Sequence, residues 1–290
     1  MKILITGSFG FLGKNLYQRL KKQYKVFGVD INESQFSNYL LDLTDKEKTK
    51  NLLKTIKPNI IIHTAALPNV DYCEIHQEEA YNINVKGTKN LIDSLKNREA
   101  KFIFISSDYV YDGLKGNFNE ESSTNPINYY GKTKLEAEQI VRRCKNYLIL
   151  RPTVIFGWDE RGKNFFMQLF KNQKDNKIMK VPTDQYSNPT YINLLVEIIY
   201  ISILKNLTGT FIATGPETIN RYNFALKICN IFNFNKTPII PVKTEDLNQI
   251  ASRPLNCGTN SSKIREALKM HFPSLEENLL DLKLFIYGKN

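Results

Sequence analysis

Residues 2–13 read Lys-Ile-Leu-Ile-Thr-Gly-Ser-Phe-Gly-Phe-Leu-Gly, a mostly apolar run that passes straight into a turn with glycines at 7, 10 and 13. What lies on either side gives that spacing its meaning. KILIT at 2–6 predicts a buried strand, and the segment at about 11–22 predicts a helix. Within the turn, Gly7 permits the tight bend, Gly10 lets the backbone approach a pyrophosphate, and Gly13 lets strand and helix pack closely. Ser8, Phe9, Phe11 and Leu12 fill the same path. The helix N-terminus then meets phosphate with free N–H groups and the positive end of its dipole. A strand, this glycine turn and a helix in direct succession imply a bound dinucleotide.

The chain continues in the same rhythm. Strand-like runs recur at 25–29, 59–63, 101–106 and 147–151, with helix-like segments at about 45–55, 76–97 and 130–144. Uniformly apolar strands are covered on both faces, which predicts an α/β protein with a doubly wound parallel sheet of the Rossmann type and ligands at the carboxyl ends of its strands. Asp30 ends the second strand, where a carboxylate bonds ribose hydroxyls and repels an additional 2′-phosphate. No arginine follows in Asp30-Ile31-Asn32, so NAD(H) is favoured and NADP(H) is left open. After Arg151-Pro152 the pattern loosens. The expected division is a dinucleotide-binding domain at 1–156, with 189–214 returning to it, and a smaller C-terminal substrate-binding lobe from 157–188 and 215–290.

Composition narrows the class. Of 290 residues, 42% are hydrophobic and 24% charged, the balance of a globular protein with a large core. The formal charge of +11 comes from lysines spread along the chain, with no arginine-rich patch, which argues against a nucleic-acid partner. The richest apolar run, 198–204, is too short to span a bilayer and reads as a buried helix, and no signal peptide is evident. Cys73, Cys144, Cys229 and Cys257 lack metal-ligand spacing and read as reduced, which predicts a cytoplasmic protein without a metal. Asp71, Glu120 and Glu121 read as surface or loop charges.

A second constellation supplies chemistry. Tyr130 and Lys134 stand four apart and share one helix face, just beyond a strand whose end carries Ser107. A phenol with an ordinary pKa near 10 is a poor acid or base at neutral pH. A lysine cation and an oxidised nicotinamide beside it would each lower that value, and Ser107 would hold the substrate oxygen. His63, His76 and His271 have no partner at the spacing of a metal site or a serine nucleophile, and His63 reads as packed.

With these residues in place the chain resembles the extended short-chain dehydrogenase/reductase family over nearly its whole length. That family's TGxxGxxG, its Ser-Tyr-Lys triad and its RPxxVYG are matched by TGSFGFLG, by Ser107, Tyr130 and Lys134, and by Arg151–Gly157 with Phe156 in place of the tyrosine. The resemblance implies cofactor contacts from Asp42-Leu43, Ala65-Ala66, Asn84, Pro152 and Val154, as well as from Tyr130 and Lys134. Within the family, NVDYCE at 69–74, SSDYVYDG at 106–113, NYYGKTK at 128–134 and SRPLNCGTNSSKI at 252–264 are similar to the dTDP-4-dehydrorhamnose reductases. That similarity implies a nucleotide-sugar substrate near Ser107, Asp108, Tyr109, Asn164 and Arg253, with Asn164 equally readable as a helix cap. It also allows a homodimer. The expected activity is reduction of a 4-keto-6-deoxy sugar. The alternatives are a nucleotide-sugar epimerase or dehydratase, and a non-catalytic regulator resembling the methionine adenosyltransferase beta subunit.

Overall fold

In the computed structural model, which describes residues 1–95 and 100–288, the opening run is β1 (Lys2–Thr6) and the glycine turn leads into α1 (Phe11–Leu20). There follow β2 (Lys25–Asp30), β3 (Tyr39–Leu40), α2 (Lys46–Ile56), β4 (Ile60–His63), α3 (Val70–Ile75), α4 (Gln77–Tyr81), α5 (Gly87–Ser94), β5 (Lys101–Ile105), α6 (Tyr129–Val141) and β6 (Tyr147–Arg151). The second half adds β7 (Ile155–Phe156), α7 (Phe165–Lys174), β8 (Met179–Pro182), β9 (Tyr186–Ser187), β10 (Thr190–Tyr191), α8 (Ile192–Leu204) and β11 (Gly209–Ile212). It ends with β12 (Ile219–Asn220), α9 (Arg221–Phe232), β13 (Ile239–Val242), α10 (Ser262–Leu268) and α11 (Leu275–Tyr287).

Seven strands form one sheet in the order β3-β2-β1-β4-β5-β6-β11, each pair parallel. Both faces are apolar because successive side chains point to opposite sides. Ile3 and Ile5, Ile60 and Ile62, Ile103 and Ile105, and Leu148 and Leu150 join the core beneath α1 and α8. Leu4, Ile61, Phe102, Phe104 and Ile149 join the opposite core, under α2, α5 and α6. The strand order reverses between β1 and β4, which opens a crevice at their carboxyl ends. Three two-stranded ladders, β7–β10, β9–β12 and β8–β13, organise the later segments beyond that crevice.

The helix expected at 76–97 is subdivided. Helical structure begins earlier, at Val70, where the Asn69 side chain caps the Tyr72 N–H. His76, at φ −109° and ψ 61°, interrupts it. A π-helical turn at Asn82–Lys86 then precedes α5, while residues 96 and 97 of the expected helix lie outside the described residues, as do 289 and 290. The wide turn re-aims Asn84, whose role is described below.

Candidate active site

At the end of β1, Gly7 takes φ +66°, and a Cβ on it would lie 2.7 Å from the Ala65 backbone, so only glycine lets the exit of β4 pass. At Gly13 a Cβ would stand 2.1 Å from the Gly7 carbonyl. Ser8 is buried, and the N–H groups of Gly7 and Ser8 donate to the Val29 carbonyl at 2.9 and 3.3 Å. Asp30 is bound to the turn: its carboxylate accepts the Phe9 N–H at 3.0 Å through one oxygen and the Asn32 N–H at 3.0 Å through the other. Gly10, the N-cap of α1, brings no side-chain cap, and the first turn holds no acidic residue. The first-turn N–H groups, those of Phe11 and Leu12 among them, are thereby left for an anion, and this cradle fits the pyrophosphate of a dinucleotide.

The exit of β4 carries Ala65 and Ala66 beside that turn. Asn84 clamps the segment: its Oδ1 accepts the Leu67 N–H at 2.8 Å and its Nδ2 donates to Thr133 Oγ1 on α6 at 3.0 Å. The buried amide thus supports the cofactor-side loop and is committed to protein partners. Asp42 makes a local contact. It is exposed and closes the turn before α2 by accepting the Thr44 N–H at 2.8 Å, while the Leu43 carbonyl is held by Asn90 at 2.9 Å.

Beyond β5, Ser107 and Asp108 are both buried. Ser107 Oγ donates to Asp108 Oδ1 at 3.0 Å and accepts the Tyr109 N–H at 3.2 Å, and Thr153 Oγ1 donates to Asp108 Oδ2 at 2.7 Å. The Asp108 N–H reaches back to the Pro152 carbonyl at 3.2 Å. Val154 sits at φ +41°, a strained conformation for a β-branched residue and one that recurs at functional sites. Asn128 caps α6 through the Gly131 N–H at 2.9 Å, and so sets the direction in which Tyr130 and Lys134 leave the helix. The Tyr130 ring meets Tyr109 edge-on at 6.0 Å, and Lys134 Nζ lies 4.2 Å from the centroid of Phe104.

Burial, followed by the charge of Asp108, pushes the Tyr130 phenol well above its ordinary value, with a hydrogen bond to Ser107 opposing the shift. Lys134 is itself brought down to about 7 by burial, against the pull of Glu138. Asp108 is raised to about 6, again chiefly by burial. Tyr130 therefore keeps its proton at neutral pH, the state of a general acid. His63 is buried, with its ring nitrogens 2.6 Å from Thr6 Oγ1 and 2.9 Å from Thr88 Oγ1, and burial and Lys134 lower it to about 3. No group of three or more His, Cys, Asp or Glu side chains among the described residues could hold a metal ion.

The SRP segment is brought against this cluster. The Asn128 side chain donates to the Ser252 carbonyl at 2.9 Å, and Arg253 binds Asp71 Oδ2 at 2.8 Å and the Ala251 carbonyl at 2.8 Å. Asp71, expected as a surface charge, is thus the partner of Arg253 and also accepts the Ala251 N–H at 2.9 Å. Glu120, expected likewise, accepts the Ile212 N–H of β11 at 2.8 Å. Asn164 proves to be the cap of α7: it accepts the Met167 N–H at 3.2 Å and donates to the Gly157 carbonyl at 3.0 Å. The sequence did not single out Arg221, the first residue of α9, whose guanidinium lies 4.9 Å from the Phe165 ring centroid and whose charge acts on Asp108 and Tyr109. Nothing in its local sequence marks it, because its neighbours come from distant segments.

Comparison with known proteins places this geometry in context. The profile of the RmlD substrate binding domain family matches residues 1–283. A dTDP-4-dehydrorhamnose reductase of Aggregatibacter actinomycetemcomitans is 29% identical over 98% of this chain and 99% of its own. The crystal structure of dTDP-4-dehydrorhamnose reductase from Bacillus anthracis in complex with NADP superposes with a TM-score of 0.89, at 31% identity over 98% and 99% of the two chains. The methionine adenosyltransferase 2 subunit beta of Bos taurus is 30% identical over 91% of this chain and 81% of its own.

Proposed function

The chain belongs to the RmlD substrate binding domain family, and from that premise we propose that it is an NAD(P)H-dependent reductase of the C4 ketone of a nucleotide-linked 4-keto-6-deoxy sugar, as the dTDP-4-dehydrorhamnose reductases are. The observation that carries the reading is the half-buried Tyr130 phenol, beside Ser107 and one helical turn from the buried Lys134, at the carboxyl end of a parallel sheet that opens on a glycine turn. When bound, the dinucleotide supplies the hydride. The start of α1 would hold its phosphates, with Gly7 and Gly10 leaving room for their approach and Ala65 and Ala66 beside the turn. Ser107 orients the ketone oxygen, and Tyr130 delivers its proton to the oxygen as negative charge develops there. Lys134, one helical turn from Tyr130, would hold the cofactor ribose.

Asp30 favours NADH, and the Bacillus anthracis relative holds NADP, so both dinucleotides belong in the assay. Arg253 and Tyr109 would receive the nucleotide-sugar, with residues 157–188 and 215–290 forming the substrate lobe. The four cysteines are buried and form no disulfide, which fits a reducing, cytoplasmic setting, and no helix among the described residues is long and apolar enough to cross a membrane. The similarity to a methionine adenosyltransferase subunit keeps a regulatory reading in view, and the assembled Ser107, Tyr130 and Lys134 weigh against it. Replacing Tyr130 by Phe tests the proposal: turnover should fall by roughly 10²- to 10⁴-fold while NADH binding is retained. Undiminished turnover would sink it.

A further inference from the structure

The loop after β7 crosses the glycine turn. Asp159, buried to 1% side-chain exposure, binds Lys14 Nζ at 2.9 Å, and its carboxylate also holds Arg161 through Nε and Nη2 at 3.2 Å each. One carboxylate thus gathers two cations, leaving an excess positive charge. The position of that charge is specific. Lys14 springs from α1 one turn beyond Gly10, whose carbonyl accepts the Lys14 N–H at 3.0 Å. The Arg161 guanidinium lies 5.3 Å from the ring centroid of Phe9, on the other side of Gly10 in the chain. The two cations meet at one carboxylate and, through Lys14 and Phe9, are tied to residues that flank in the chain the uncapped start of α1, where the backbone already presents unsatisfied donors.

A single lysine would balance Asp159, so the second cation adds charge for which the described residues provide no second carboxylate partner. Arginine suits a shared role: the edge carrying Nε and Nη2 holds the carboxylate, and Nη1 takes no part in that pair and can serve another oxyanion. We propose that Asp159 fixes Lys14 and Arg161 as a cationic strap that clamps the pyrophosphate of the bound dinucleotide, so that this loop closes the cofactor cleft. The proposal rests on the dinucleotide reading above and adds a residue, Arg161, that the glycine turn does not contain.

The test is titration of wild type, Arg161→Ala and Arg161→Lys with NADH, NADPH and ADP-ribose, alongside melting temperatures of the unliganded proteins. Arg161→Ala should loosen all three ligands by a similar factor, roughly ten- to a hundredfold for a lost charge-assisted contact, with its melting temperature close to that of wild type. Arg161→Lys should recover only part of the affinity. Unchanged NADH affinity in Arg161→Ala would overturn the strap. A loss confined to NADPH would overturn it too, by putting Arg161 on the 2′-phosphate. Loosening accompanied by a large fall in melting temperature would leave Arg161 a structural tie only and likewise reject the proposal. Failure of wild type to bind any of the three would instead refute the dinucleotide reading.

Discussion

Lys134 shows how much a single buried charge decides. Its folded-state value is brought from 10.5 to about 7 by burial, so the unfolded chain binds its proton more tightly than the folded one does. The sign follows. Below about pH 7 the full cost of keeping an ammonium buried bears on stability, between 7 and 10.5 that cost fades, and above 10.5 it is gone. Lys134→Met should therefore be inactive yet more stable than wild type to urea at pH 6.5, by more than about 1 kcal/mol, since a tenfold change in proton affinity is worth about 1.4 kcal/mol. The advantage should shrink as the pH rises toward 10, and an advantage that grew with pH would contradict this account. Tyr130 and Lys134 were legible in the sequence because their relation is one helical turn. The direction of the Tyr130 shift was not, because it depends on burial and on Asp108, which a spacing rule does not see.

The element that positions both residues is α6, and its anchor is electrostatic. Glu138, one turn beyond Lys134, meets Arg151 at the end of β6 in a buried two-pronged pair, at 2.8 Å to Nε and 2.6 Å to Nη2. Arg151 Nη1 also donates to the Tyr111 hydroxyl at 2.8 Å, tying the exit of β5 into the same network. Removing one partner leaves the other charged and buried, so Glu138→Ala should lower stability by about 3–5 kcal/mol in urea titrations. The double change Glu138→Leu with Arg151→Met should recover much of that loss. A Glu138→Ala protein as stable as wild type would show that packing alone sets the pose of α6. Strands and helices of the sheet were legible because uniform apolarity and helical period are local signals. The break at His76 and the π-helical turn were not, because that turn answers to Asn84 reaching Leu67, 17 residues away, and Thr133, 49 away.

At the scale of the molecule, the contacts that complete the site join distant segments: Arg253 to Asp71 across 182 residues and Lys14 to Asp159 across 145. Neither pair could be read from the sequence, where Asp71 looked like a surface charge and the loop around Asp159 matched no motif. The glycine turn and the proposed catalytic residues Ser107, Tyr130 and Lys134 were readable; the contacts that the second half of the chain brings to them were not. The central claim is that this closed cleft passes hydride to a sugar ketone, and the direct measurement is NAD(P)H absorbance with a dTDP-linked 4-keto-6-deoxy sugar and purified wild-type protein. The account predicts loss of one reduced dinucleotide for each sugar reduced at C4. Epimerised or dehydrated sugar with the absorbance unchanged, or no conversion at all, would contradict it.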